Sequence, residues 1–282
     1  EQYKDGWTLK DMIDYYHSKP EGTKLYMYES KKEIFDEFVA PFIDDYIDWD
    51  TGKVNFDSEE FRAAAAFCNE FPSDYEFGID YNDVAKQMRE GTMLINLLSE
   101  SEGTMGEYQL NRALYGDDLR CIGFPSADKK KAYICPLSAS LAITASSEEK
   151  EGAWDFLKSA ITDYHMHAEI PSGIPSGKKQ FEKVIRRITA TEKYTDEDGN
   201  VVRPLDGISE YNSFEFDIKP FSEDETNVIR GLIKNSVVKN DNTSVLFIVE
   251  TELDSYFRGD NTLDETVSVL QDRVGKYVNE NR

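Results

Sequence analysis

"TMLINLLSESEGT", residues 92–104, reads as an apolar strand that stops at Leu98, then a run of small polar residues, then Gly103. A short unbroken apolar run bounded by turn residues fits a strand covered on both faces, the kind found in sheets flanked by helices. The sequence before it is patterned as a helix over 82–90 and stops at Gly91; the sequence after it is patterned as a helix over 104–115 and stops at Gly116. Glycine suits both stops because it enters the left-handed conformation that closes a helix. A strand set between two helices implies an α/β fold.

Farther out, the helix starts share one device. "SKKE" (Ser30, Glu33), "DSEE" (Asp57, Glu60), "SSEE" (Ser146, Glu149) and "SEDE" (Ser222, Glu225) each place a capping oxygen three residues before a carboxylate. Thr262 and Glu265 repeat it after Gly259, and Leu263, Val267, Leu270, Val274 and Val278 follow at helical spacing as a buried stripe. Helices are expected over 8–18, 31–47, 58–71, 82–90, 104–115, 147–162, 177–190, 222–235, 244–258 and 262–279. Pro41 has no amide hydrogen and should kink the second. "TKLYMY" (23–28), "TMLINLL" (92–98), "LRCIGF", "AYICPL", "SLAIT" and "FEFDI" (214–218) read as strands. "TDEDGNVVRP" (195–204), centred on Asp198-Gly199, reads as an exposed hairpin.

Composition narrows the partners. The chain has 282 residues, 12% of them aromatic, with 55 Asp plus Glu against 32 Lys plus Arg, a formal net charge of −23. That field repels phosphate backbones and anionic lipid surfaces, so no nucleic acid partner is expected and a neutral or cationic small ligand fits. Cys68, Cys121 and Cys135 are odd in number and far apart, which signals neither a disulfide framework nor a zinc knuckle. These residues hold no run of about eighteen apolar residues and no basic-then-apolar leader pattern, so neither a membrane span nor a signal peptide is expected within them.

Catalytic and metal patterns are thin. His165 and His167 lie two apart with Glu169 beyond; that spacing could grip a metal from a strand, but no third or fourth ligand suggests itself. His17 falls at a helix end. "IPSGIPSGKK" lacks the spacing of a phosphate loop, and no Gly-x-Ser-x-Gly nucleophile elbow occurs. "FIDDYIDWD" (42–50) lacks the glycine and closing glutamate of a calcium hand, and reads as a solvated acidic end. So many acids guarantee close pairs, which leaves a carboxylate-dependent glycan hydrolase open as an alternative without pointing to one. Tyr3, Trp7, Tyr15, Tyr16 and Trp49 read as packing and solvation.

Five stretches, in order, resemble the extracellular solute-binding proteins of ABC importers, in the maltose-binding-like group. They are "GWTLKDM", "MREGTMLINLLSES", "LSASLAITASSEEKEGAWDFLKSAIT" with Ser147, Glu151, Ala153, Trp154, Phe156 and Leu157, then "GIPSGKK", and the closing helix pair with its glycine stop. The resemblance implies a periplasmic-binding-protein type 2-like α/β fold. Residues 1–116 and 165–282 would form the second lobe, and 117–164 the strands and helix that normally return to the first. It also implies that most of the first lobe, an export signal and a lipid-anchor cysteine precede this chain.

The function so implied is non-catalytic. Two lobes close on a solute, expected to be a carbohydrate, and the closed form docks on ABC permease subunits outside a bacterial cell, with no cofactor. The membrane would be reached only through the missing anchor. Carried over by position, the ligand-binding residues are Tyr28, Glu29 and Ser30, then Ser99, Glu100 and Ser101, then Leu246 and Phe247. Sugar binders of the family carry Gly-x-Trp where this chain has Ser99-Glu100-Ser101, and a tryptophan near Leu246 or Phe247. Losing two stacking platforms disfavours a maltose-like oligosaccharide and favours a smaller or more polar solute. A further alternative is a protein-interaction domain of the same fold with a degenerate site.

Overall fold

Helix predominates in the computed structural model, at 53% against 10% strand. The structure describes residues 3, 6–75, 77–97, 104–116, 120–127, 133–136, 142–162, 175, 177–211, 213–239 and 242–282. In chain order these form α1 (Leu9–His17), α2 (Lys31–Phe38), a 3-10 segment (Ala40–Tyr46), β1 (Ile47–Asp48), β2 (Lys53–Val54), α3 (Glu59–Cys68), α4 (Tyr81–Glu90) and α5 (Thr104–Tyr115). Then come β3 (Tyr133–Pro136), α6 (Lys150–Thr162), α7 (Lys178–Ile188), β4 (Tyr194–Thr195), β5 (Val201–Val202), β6 (Gly207–Tyr211) and β7 (Phe214–Ile218). α8 (Glu223–Lys234), β8 (Ser236–Lys239), α9 (Thr243–Phe257) and α10 (Leu263–Asn281) complete the chain. Among the described residues the strands pair two by two: β1–β2, β4–β5 and β6–β7 antiparallel, β3–β8 parallel.

Two compact units result. The first joins Glu1–Gly78, Cys121–Leu137 and Leu232–Arg282; the second joins Ile79–Arg120 and Ser138–Gly231. Of residues 117–164, 121–137 fall in the first unit and α6 in the second.

The first unit is held by its last helix. Thr262 and Glu265 form the reciprocal cap, each accepting from the other's backbone amide. Val267, Leu270, Val274 and Val278 are at most 1% exposed, and each such side chain contributes about 1.5–3 kcal/mol of burial. Gln271 accepts the Phe56 amide at 2.7 Å and donates to the Val54 carbonyl at 3.3 Å, tying α10 to β2. Asn279 donates to the Gly52 carbonyl at 3.1 Å, in the turn between β1 and β2. Trp7 is 2% exposed, as its packing role requires, and its indole donates to the Gly123 carbonyl at 2.9 Å.

In the second unit α5 packs on α4 and β7. Met105 and Leu114 on α5, Ile188 on α7 and Ile229 on α8 are at most 1% exposed and form its centre. Arg112 donates to Glu225 at 3.0 Å and to the Lys219 carbonyl at 3.0 Å, joining α5 to the start of α8.

The expected helices recur within a few residues of their bounds, with three corrections, the first at α6, which starts at Lys150: there the Ser147 hydroxyl, in place of Ser146, accepts the Glu149 amide at 3.3 Å. Instead of one kinked helix over 31–47, α2 stops at Phe38 and a 3-10 segment follows. Phe42 there is non-helical (φ −114°, ψ 19°), because Pro41 cannot donate into the ladder. At α3 the cap is Ser58, whose hydroxyl accepts the Phe61 amide at 3.2 Å, while Asp57 pairs with Arg62 instead.

The strands fare worse. "FEFDI" is β7, "AYICPL" contains β3, and the hairpin at 195–204 is β4–β5 with Gly199 at φ +84°. "TKLYMY" is not a strand: Leu25, Tyr26 and Met27 are all buried in succession, and the Glu29 carboxylate takes the amides of Leu25 and Tyr26 that a ladder would need. Met93 in "TMLINLL" makes a single bridge and 94–97 run without regular structure; Leu98 lies outside the described residues. Residues 120–123 of "LRCIGF" and 142–144 of "SLAIT" are likewise irregular.

Candidate functional site

Tyr28, Glu29 and Ser30 sit where the chain enters α2. Ser30 is 3% exposed, and its hydroxyl accepts the Glu33 amide at 3.1 Å, so its side chain is spent on capping the helix. Glu29 folds back to accept the Leu25 amide. Burial lifts its carboxyl above the ordinary value, opposed by the Leu25 and Tyr26 amides and the Lys24 charge. Tyr16 nearby is raised as well, by burial first and then by the charges of Glu29 and Glu70.

The Lys31 amide donates to the Pro72 carbonyl at 2.9 Å, which draws the 72–77 loop beside the start of α2. That contact lines up rings. Tyr28 meets Tyr26 at 5.5 Å and Tyr75 at 5.4 Å between centroids, both edge-on, and Tyr75 meets Phe77 at 4.8 Å. The strip runs from Tyr26, 7% exposed, outward to Phe77, 83% exposed. A phenylalanine so exposed at the end of a supported ring ladder is a platform for an apolar face, since the rings beneath hold it in place.

No protein-family model matches this chain, and no curated protein matches it.

α9 runs beside the start of α2. Lys32 pairs with Glu250 at 3.7 Å, and the Lys31 ammonium donates to the Phe257 carbonyl at 2.7 Å, closing the end of α9. Leu246 and Phe247 lie one turn before Glu250. Asn242 caps that end by accepting the Val245 amide at 3.2 Å. Leu246 is half-buried and Phe247 is 67% exposed, while Val245, Val249 and Leu253 fill the core side. The structure thus brings 28–30 to the 72–77 loop and lays α9 alongside. Ser99, Glu100 and Ser101 lie outside the described residues, as do His165, His167 and Glu169.

Tyr75 and Phe77 escape a sequence reading that follows the family's positions. The available signal was two aromatics alternating inside the polar loop "PSDYEFGIDY". His17 bonds Glu70 at 2.8 Å on the surface. Among the described residues no group of three or more His, Cys, Asp or Glu could hold a metal, and no helix is long and apolar enough to cross a membrane. Cys68 is buried and Cys121 is half-buried.

Proposed function

We propose that this chain is the non-catalytic solute-binding part of a carbohydrate ABC importer. In this reading the fold is periplasmic-binding-protein type 2-like, with 1–116 and 165–282 as second lobe and 117–164 belonging to the first. It works outside a bacterial cell, held by an anchor upstream, and passes its solute to permease subunits. The observation that carries the reading is the aromatic strip ending at Phe77. Pyranose rings present a face of C–H groups that stacks on such platforms.

A second feature agrees with an absent lobe. α6 forms no substantial packing with another described element, and it leaves Trp154 56% and Phe156 71% exposed. Large apolar side chains left this exposed mark a surface that another segment covers.

The test is titration calorimetry against mono- and disaccharides with this chain and with a longer polypeptide carrying the full first lobe. The expected result is tighter binding to the longer form and about a tenfold loss on Phe77→Ala, the size of one aromatic contact. Binding indifferent to Phe77→Ala removes the strip as the site. Silence from both polypeptides across the whole panel removes the transport reading.

A further inference from the structure

Asp–Gly bonds occur in the chain at 5–6, 198–199 and 206–207. Such a bond is where an aspartate side chain most readily closes on the backbone, because glycine has no Cβ to crowd the approach. Asp5 lies outside the described residues. The fold treats the other two bonds differently. Asp198 and Gly199 lie in the turn of the β4–β5 hairpin, whose strands pair over two residues each. Asp206 leads straight into β6, and Gly207 pairs with Ile218 in a ladder of five residues on each strand. A hairpin held by the shorter ladder opens locally more readily than one whose longer ladder is packed on a helix, as β7 is on α5.

At the tip, residues 197–200 are exposed. Gly199 stands at φ +84° with, among the described residues, nothing within 4 Å of the place a Cβ would take, which leaves room for a ring to close. Asp196 holds the turn: its Oδ1 accepts the amides of Asp198 at 3.0 Å and Asn200 at 2.7 Å, and its carbonyl accepts the Gly199 amide at 3.2 Å. The Asp198 carboxylate is engaged elsewhere. Its Oδ2 accepts from the Lys183 ammonium on α7 at 2.7 Å.

We propose that Asp198–Gly199 is a site of spontaneous backbone isomerisation, with the Lys183 ion pair as its brake. The Gly199 amide nitrogen gives up its proton and bonds to Asp198 Cγ. The protonated carboxyl group loses one oxygen as water, and a succinimide ring closes with no change of oxidation state. Water then opens the ring. Addition at Cγ restores aspartate; addition at the Asp198 backbone carbonyl carbon leaves the chain running through Cγ. That product is an isoaspartate, with a free α-carboxylate and one extra methylene in the backbone. The ion pair opposes the first step, because a paired carboxylate is an anion, a poor acceptor for nitrogen, and is drawn toward α7. Once formed, the product lengthens the tip and moves the carboxylate away from Lys183, so the short β4–β5 ladder no longer meets in register. None of these residues belongs to the aromatic strip, so the proposal stands apart from the transport reading.

The test is ageing of the 282-residue chain in warm neutral buffer, then peptide mapping with a protease that cuts before aspartate and not before isoaspartate. Position 198 is expected to accumulate an isomer of unchanged mass, through an intermediate lighter by one water, faster than position 206. In concentrated urea the fold no longer separates the two bonds, and their rates should converge. Lys183→Gln should speed the folded chain at 198 by about twofold to fivefold, the range of one exposed ion pair, and leave 206 and the urea rates unchanged. Asp198→Glu keeps the charge and should abolish the product there, since glutamate would have to close a larger ring. Isomerisation in the folded chain as fast at 206 as at 198, none at 198, or an unchanged rate in Lys183→Gln would each overturn the proposal. An equal increase at both positions in Lys183→Gln would overturn it too, because it would show a loosened unit and not a released brake.

Discussion

At Glu29 two effects oppose each other. Burial disfavours the carboxylate, and the amides of Leu25 and Tyr26 favour it; burial wins, so the folded-state pKa lies above the ordinary 4.5. A carboxyl whose pKa rises on folding holds its proton more tightly in the native state. Stability therefore falls as pH climbs from the ordinary value through the raised one. Glu29→Gln keeps an oxygen for the two amides and removes the charge. Urea midpoints at pH 4.5, 6 and 8 should fall with pH in the wild type and fall less in the variant; parallel curves would refute the assignment. At this scale Tyr28 and Glu29 were legible as occupants of the loop before α2, but their tasks were not. The carboxylate turns back to the chain's own amides, and Tyr28 acquires Tyr75 and Phe77 only through the Lys31–Pro72 bond, a contact between segments far apart in sequence.

Elements set by neighbours in sequence are the ones a reader of sequence recovers. The caps at Ser30, Ser222 and Thr262 stand as their spacing implies, because donor and acceptor lie three residues apart. The short strands fail because a ladder needs a distant partner: Tyr133–Pro136 becomes a strand by lying parallel to Ser236–Lys239, whereas Thr92–Leu97 finds only one bridge at Met93. The β6–β7 hairpin offers a test of local strain. Tyr211 pairs with Phe214, leaving a two-residue turn in which Ser213 adopts φ +66°, the positive φ region that favours glycine. Ser213 is exposed, so Ser213→Gly relieves the backbone without disturbing a core, and gives the Asn-Gly dipeptide that such turns prefer. Glycine also loosens the unfolded chain, which sets a limit to the gain. Stabilisation of about 0.5–1 kcal/mol in urea denaturation is expected, and a loss would mean that Ser213 makes a compensating contact.

Over the whole molecule, charge works against compactness. Several cations are already engaged: Arg62 between Asp57 and Asp264, Arg112 with Glu225, Arg230 with Glu182, Arg273 with Glu252. Most of these pairs are partly exposed, where each contributes about 0–1 kcal/mol. The excess that gives a net charge of −23 has no cation to meet, and its mutual repulsion is relieved on unfolding. The screening length falls from about 30 Å at 0.01 M salt to about 10 Å at 0.1 M, so added salt weakens the many long-range repulsions more than the few short attractions. Raising potassium chloride from 0.02 to 0.3 M at pH 8 (about these values) should then stabilise the chain by about 1 kcal/mol, a rise of about 2–4 °C in Tm for a chain of this order of size. Near pH 4.5, the sequence pI, the same salt should change Tm little. A Tm that drops with salt at pH 8 would show that the arginine–carboxylate pairs outweigh the repulsion, and the acidity would then stabilise the fold through those pairs.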